Sequence, residues 1–305
     1  MGRVPTRPGV RMQKHPLVIV ILLAIVACAA AVATSFALRP EPAPEPTASP
    51  RVICLMPPIT ETLYDIGAQH VLVGRSDYCE FPPQAADIPP CGSSLVPNVE
   101  AIARLEPTLI LALEARGSAR EKLQPLAPTE FLPWTTGREV IDSTRKLGAL
   151  TGQEAAANEL ADTLEQALAS TVSDNSPTVL FVMAHSPGEL KQVVFMKRNS
   201  LHGAILEAAG GRNAVTYDEP GVPLLSLENV LRLDPDCIVL LSMVELTAAQ
   251  RENLLADWRA LTPLKAVQTG RLGILHGPHT MPAGKRIPPL VHELRHELQR
   301  LNRGE

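Results

Sequence analysis

Asn98-Val99-Glu100-Ala101-Ile102-Ala103-Arg104-Leu105-Glu106-Pro107-Thr108-Leu109-Ile110-Leu111 reads as one complete unit of α/β structure, and the chain contains the pattern twice. The second copy, 128 residues further on, is Ser226-Leu227-Glu228-Asn229-Val230-Leu231-Arg232-Leu233-Asp234-Pro235-Asp236-Cys237-Ile238-Val239. In each, an Asn or Ser that can cap a helix precedes a Glu in the first turn, where the helix dipole favours a carboxylate, and an apolar-Arg-Leu turn follows. An acidic-Pro pair then stops the helix, and the apolar run predicts a buried strand. The duplication predicts two similarly built α/β lobes. A lone Glu would merely complement its helix N-terminus, whereas two in corresponding places point to a paired role.

Around these units, Arg51 to Leu55 predicts an opening strand, Thr60 to Ile66 a helix ended by Gly67, Val71 to Gly74 a strand, and Thr129 to Leu132 another. Helical character starts at Gly137, breaks at Gly148 and Gly152, and resumes from Gln153 to about Val172 with Ala, Leu and Glu throughout. Thr178 to Met183 begins a second α/β series. The chain therefore divides into an N-terminal lobe at 51–150, a connecting backbone helix at 151–175 and a C-terminal lobe at 176–305. A helical connection implies a stiff spine with small closing motions, and the interlobe cleft is the expected ligand site.

The 305 residues suffice for two lobes with real cores. Aromatic residues make up only 3%, so few rings are expected in any pocket. Residues 51–305 hold 23 Lys/Arg against 30 Asp/Glu, a balance that argues against nucleic acid as a partner. At the N-terminus, Arg3, Arg7, Arg11 and Lys14 precede an uninterrupted apolar run from Pro16 to Leu38, long enough to span a bilayer and basic on the cytoplasmic side. Residues 1–38 thus form a signal peptide or a membrane anchor, and the body is exported, periplasmic or otherwise extracytoplasmic. Ala31-Val32-Ala33 and Ser35-Phe36-Ala37 are possible cleavage sites, Ile25-Val26-Ala27-Cys28 resembles a lipoprotein box, and an uncleaved anchor is the third fate. Residues 39–50, rich in Pro, Ala and Glu, form a linker.

Cys54 and Cys237 fall in predicted buried strands and read as small apolar side chains. Cys79 and Cys91 bracket a Pro-rich loop, and in an oxidising compartment a disulfide is the expected pairing, contributing about 3 kcal/mol. His292-Glu293-Leu294-Arg295-His296 matches the zinc-peptidase signature and is the rival, enzymatic reading. Against it, Ile287, Leu290, Val291, Leu294, Leu298 and Leu301 make the apolar stripe of an amphipathic helix that turns both His residues outward. The glycine spacing of 277–285 is wrong for a phosphate loop, and Ala184-His185-Ser186-Pro187-Gly188 lacks the first glycine of a nucleophile elbow.

Taken in order, Arg51-Val52-Ile53, the run Gly74 to Ala85, Asn98-Val99-Glu100, Leu147 to Gly152, Leu227-Glu228 with Asp234-Pro235-Asp236, and Lys285-Arg286-Ile287 resemble the class III periplasmic substrate-binding proteins of ABC transporters, most nearly the cobalamin-binding branch. The resemblance spans nearly all of 51–300. It implies two Rossmann-like lobes on a helical backbone, no catalysis, a monomer with no cofactor or metal of its own, and delivery of a metal chelate such as a corrinoid to a permease dimer. Glu100 and Glu228 match the acidic residues with which such proteins dock on permease arginines. Tyr78 and the loop Pro278-His279-Thr280-Met281-Pro282 match ligand-contacting positions, and Trp134 and Arg286 are further candidates. Ser94 and Leu95 stand where the cobalamin branch can offer a Trp, so the ligand is left open. An anionic ferric siderophore would draw on Arg75, Arg116, Lys197, Arg198 and Arg286, and haem would want an axial residue from Tyr78, His185 or His279.

Overall fold

The structure, a computed structural model, describes residues 50–217 and 222–304. The apolar segment of residues 1–38 and its possible fates lie outside the described residues, as does the linker up to Ser49. Among the described residues no helix is long and apolar enough to cross a membrane.

The first lobe is built from β1 (Val52–Cys54), α1 (Pro57–Asp65), β2 (Leu72–Arg75), α2 (Val99–Arg104), β3 (Leu109–Leu113), α3 (Arg120–Leu123) and β4 (Thr129–Leu132). Its four strands are parallel, in the order β2-β1-β3-β4. Helices α4 (Gly137–Thr151) and α5 (Glu154–Ala167) follow. The second lobe holds β5 (Thr178–Met183), β6 (Gln192–Val194), α6 (Leu201–Ala208), β7 (Arg212–Asn213), β8 (Leu224–Ser226), α7 (Leu227–Leu233), β9 (Cys237–Ser242), α8 (Ala248–Arg259), α9 (Lys265–Gln268), β10 (Leu272–His276) and α10 (Ile287–Arg303). A second parallel sheet runs β10-β9-β5-β7, and β6 pairs with β8 as an antiparallel ribbon. Strands such as β9 are buried along their whole length, which is why they read as unbroken apolar runs rather than as alternation.

The two repeated segments form the same device in both lobes. Asn98 Oδ1 accepts from Ala101 N at 3.0 Å and Ser226 Oγ from Asn229 N at 3.3 Å, so both helices are capped as their sequences predict. Each then ends at an acidic residue in the left-handed conformation, Glu106 with φ 45° and Asp234 with φ 39°. The following Pro disfavours the right-handed helical region at these positions. Two residues on, Thr108 Oγ1 accepts the N–H of Arg51 at 2.8 Å, and Asp236 Oδ2 accepts that of Thr178, also at 2.8 Å. Each repeat thereby fixes the entry of its own lobe's first strand. Asp236 is further held by Thr178 Oγ1 and Lys265 Nζ. Although burial alone would raise its carboxyl, these partners bring it down to about 2.

The connection differs from a single helix over 151–175. Gly152, at φ 70°, ends α4, and α5 runs back alongside it as an antiparallel partner, with Arg145 of α4 bridging Asp162 and Glu165 of α5 at 2.8 and 3.0 Å. A Cβ on Gly148 would lie 2.4 Å from that of Ala157, so the close approach of the two helices depends on glycine there. Residues 168–177 then carry the chain into the second lobe as irregular structure. One apolar core passes through this layer, from Val52, Leu109 and Leu132 in the first lobe, past Leu147 and Leu164, to Phe181, Val239 and the stripe of α10. Continuous close packing of this kind resists large hinge motion.

Candidate functional site

The lobes meet at a cleft of about 800 Å³, located at the carboxyl ends of the strands of both sheets, where ligands of open α/β sheets bind. Met56 follows β1, Tyr78 follows β2, Trp134 follows β4, Met243 follows β9 and Pro278 follows β10, and all five line it. Four of the chain's ten aromatic residues gather here, Tyr78, Phe81, Trp134 and Phe195, as do four of its seven methionines, Met56, Met196, Met243 and Met281. The low aromatic content thus understates the cleft, because the rings are concentrated in it. Tyr78, 72% exposed, stands at the rim, whereas Trp134 is 7% exposed and belongs to the wall.

The loop Pro278 to Pro282 contributes unevenly. Pro278, Met281 and Pro282 line the cleft, but His279 and Thr280 do not. Thr280 is fully buried and its hydroxyl donates to the carbonyls of Ser242 and Gly277 at 3.0 and 2.9 Å, which pins the loop to β9. His279 turns away toward α10, with Nε2 2.8 Å from Glu293. A neighbouring imidazole that carried no sequence motif lines the cleft instead. His202, on the first turn of α6, donates from Nε2 to the carbonyl of Thr280 at 2.8 Å, and burial pushes its pKa down.

Arg286 lines the cleft with its guanidinium committed. Its Nε and Nη2 grip both oxygens of Glu61 on α1 at 2.5 Å, Nη1 donates to the carbonyl of Pro278 at 3.1 Å, and Nη2 also reaches that of Met281 at 3.4 Å. The ring of Phe81 lies over it at 4.6 Å. Glu61 is 4% exposed, and burial raises its carboxyl pKa against the pull of Arg286. Lys285 adds a second link, with its N–H to Asp65 Oδ2 at 2.8 Å and its ammonium to the Asp65 carbonyl at 3.0 Å. Together with the bond from Leu201 N to Thr135 O at 2.7 Å, these contacts join the lobes beside the cleft.

Of the other cations named from sequence, Lys197 lines the cleft, while Arg75, Arg116 and Arg198 do not; Arg198 is paired with Glu207 at 2.9 Å. His185 is held by Asp257 at 3.0 Å beside Trp258, away from the cleft. Ser94 is buried and structural, accepting the N–H of Leu113 and donating to Leu55 O, both at 3.0 Å.

The expected Cys79–Cys91 disulfide is not formed, and both are buried free thiols whose pKa burial raises. Cys79 Sγ faces Thr60 Oγ1 of α1 at 3.2 Å, whereas Cys91 Sγ packs under β2 beside Gly74. The loop between them is closed by backbone bonds instead, Arg75 N to Pro89 O at 3.0 Å and Cys91 N to Arg75 O at 2.8 Å. On α10 the apolar stripe is buried as read, His292 and His296 are exposed, and Glu293 is engaged by His279. Among the described residues no three His, Cys, Asp or Glu side chains converge to hold a metal.

Glu100 and Glu228 stand far out on their lobes, with side chains 83% and 81% exposed, each paired to the Arg one turn on, Arg104 at 3.6 Å and Arg232 at 3.0 Å. Exposed valines and leucines lie near both in sequence, Leu95, Val96 and Val99 in one lobe and Val222, Leu224 and Leu231 in the other.

Two parallel α/β lobes on a helical layer, with a ligand-sized cleft at the strand ends, define a class III bilobal binding protein. Residues 52–278 match the periplasmic binding protein family, and the chain belongs to it. A cobalamin-binding protein of Halobacterium salinarum is 28% identical over 253 residues, covering 79% of this chain and 67% of that protein. A vitamin B12-binding protein of Vibrio cholerae is 27% identical over 207 residues, covering 66% and 74%. Among solved structures, the periplasmic vitamin B12 binding protein of Vibrio cholerae superposes with a TM-score of 0.65 at 23% identity, covering 83% of this chain and 97% of that one. A periplasmic heme binding protein of Pseudomonas aeruginosa gives 0.64 at 24% identity, covering 80% and 91%. At these identities the structures speak for the fold. The relatives are binding proteins rather than enzymes.

Proposed function

We propose that the chain is the extracytoplasmic binding protein of an ABC importer, and that it takes a corrinoid between its lobes for delivery to a permease dimer through Glu100 and Glu228. The observation that supports the ligand best is the lining of the cleft. Rings and thioethers from both lobes suit a large, rigid, polarisable macrocycle, since aromatic faces and the adaptable Met side chain pack against flat surfaces without requiring charge. The curated relatives named for cobalamin and vitamin B12 point the same way. The apolar N-terminal segment would hold the body at the membrane.

A haem reading draws on one observation, that His202 and Tyr78 both line the cleft. Titration of the purified full chain with cyanocobalamin and dicyanocobinamide, followed by Trp134 fluorescence, separates the two. Saturable one-to-one corrinoid binding is expected. Absence of saturable binding to either corrinoid, with a saturable shift of the Soret band on titrating haemin, would replace the corrinoid with haem.

A further inference from the structure

Among the described residues, four charged side chains line the cleft, Glu61, Glu80, Lys197 and Arg286. The sequence makes Arg286 look like the anchor for an anionic chelate, since it adjoins the ligand loop and a guanidinium is well suited to carboxylates and catecholates. Its geometry gives it another task. Four of its five N–H groups are directed at protein oxygens, two on Glu61 and one each on Pro278 and Met281. Phe81 covers one face. Glu61 brings a full compensating charge to within a bidentate contact and is itself nearly inaccessible.

We propose that Glu61 is a specificity-determining residue: by holding Arg286 as a strut under the ligand loop, it cancels that cation's charge in the cleft and selects uncharged or weakly charged metal chelates over polyanionic ones. This deepens the binding-protein reading and rests on it, but it does not require the ligand to be a corrinoid. Anions lose because entering the cleft strips their water while the guanidinium near them is already neutralised. Glu80 places a further negative charge on the Tyr78 side. Selection is thus by rejection of the wrong charge as much as by contacts to the right ligand.

The test uses the full chain and three probes, dicyanocobinamide, ferrichrome as an uncharged ferric chelate, and ferric enterobactin as a trianionic one of the same metal. Wild type is expected to bind at least one uncharged or weakly charged probe at least about tenfold more tightly than ferric enterobactin. Glu61→Gln, which leaves Arg286 charged and uncompensated, should gain about tenfold for ferric enterobactin and nothing for ferrichrome. Glu61→Gln with Arg286→Met should lose that gain. A general loosening of the fold would weaken all three probes and could not produce a gain for one. Wild type that binds the trianion as tightly as the other probes overturns the proposal even if no variant folds, and so does a folded Glu61→Gln protein without the gain. Failure of cobinamide alone, with the charge order preserved between the two iron chelates, removes the corrinoid reading and leaves this one standing.

Discussion

Glu106 and Asp234 hold the same left-handed backbone conformation, at φ 45° and 39°, each directly before a proline at the end of its lobe's repeated helix. This conformation costs an L-residue about 1–2 kcal/mol, and glycine adopts it freely. Asp234 offsets the cost, because its Oδ1 accepts the N–H of Lys265 at 2.7 Å and so caps α9. Glu106→Gly should therefore raise stability by about 0.5–1 kcal/mol, while Asp234→Gly should lower it or leave it unchanged. Chemical denaturation of the two variants checks this, and equal effects of the same sign would contradict it.

The exposed pairs Glu100–Arg104 and Glu228–Arg232 contribute only about 0.3–0.5 kcal/mol each to the fold. Replacing both glutamates with Ala should leave melting temperature and ligand affinity nearly unchanged and abolish uptake in cells, since charges at a docking face act on encounter and register. Normal transport by the double variant would remove the docking assignment.

Burial already raises the pKa of Glu61 with Arg286 in place, and Arg286 is what restrains it. Arg286→Met removes that restraint, so the folded-state value moves higher above the unfolded one. A carboxyl of this kind favours the folded protein when protonated, and its contribution is lost as pH rises through the folded value. Thermal melts of Arg286→Met should fall as pH rises above the ordinary carboxylate range, a slope that adding Glu61→Gln flattens. A variant with the wild-type pH profile would show that Arg286 does not govern Glu61.

Tyr78 offers an open ring face at the rim of the cleft, so Tyr78→Ala should weaken binding of the best corrinoid about tenfold by removing about 1–2 kcal/mol of stacking. Trp134, which is set into the wall, should cost stability as well as affinity when replaced by Ala, in calorimetry and in melts. Unchanged affinity for Tyr78→Ala would move the ligand away from that rim.

The architecture was legible because it is written in periodic or repeated signals. The capping residues Asn98 and Ser226, the acidic-Pro stops and the apolar strands each act locally, so their sequence and their structure coincide. The site was less legible because loop side chains follow no period. Thr280 turns inward to Ser242, and its neighbour His279 outward to Glu293, within one 3₁₀ turn of backbone. Arg286 was recognisable as a cation beside the ligand loop, but its partner Glu61 lies 225 residues earlier on a helix with no motif. Two of the missed residues did share one signal. Met56 and Met243 follow the ends of β1 and β9 by two positions and one, where an α/β sheet presents its ligand face.

Because Arg286 and Lys285 follow the groups they hold by more than 200 residues, the cleft is finished only after that late stretch has been made. The first lobe can assemble its sheet from residues 52 to 132, yet Glu61 and Asp65 must wait for partners more than 200 residues away. Contacts this distant in sequence close last, since loop closure must precede their reward. A chain cut short before residue 285 would keep most of its strands and lack the bridge that holds the two halves of its binding site together.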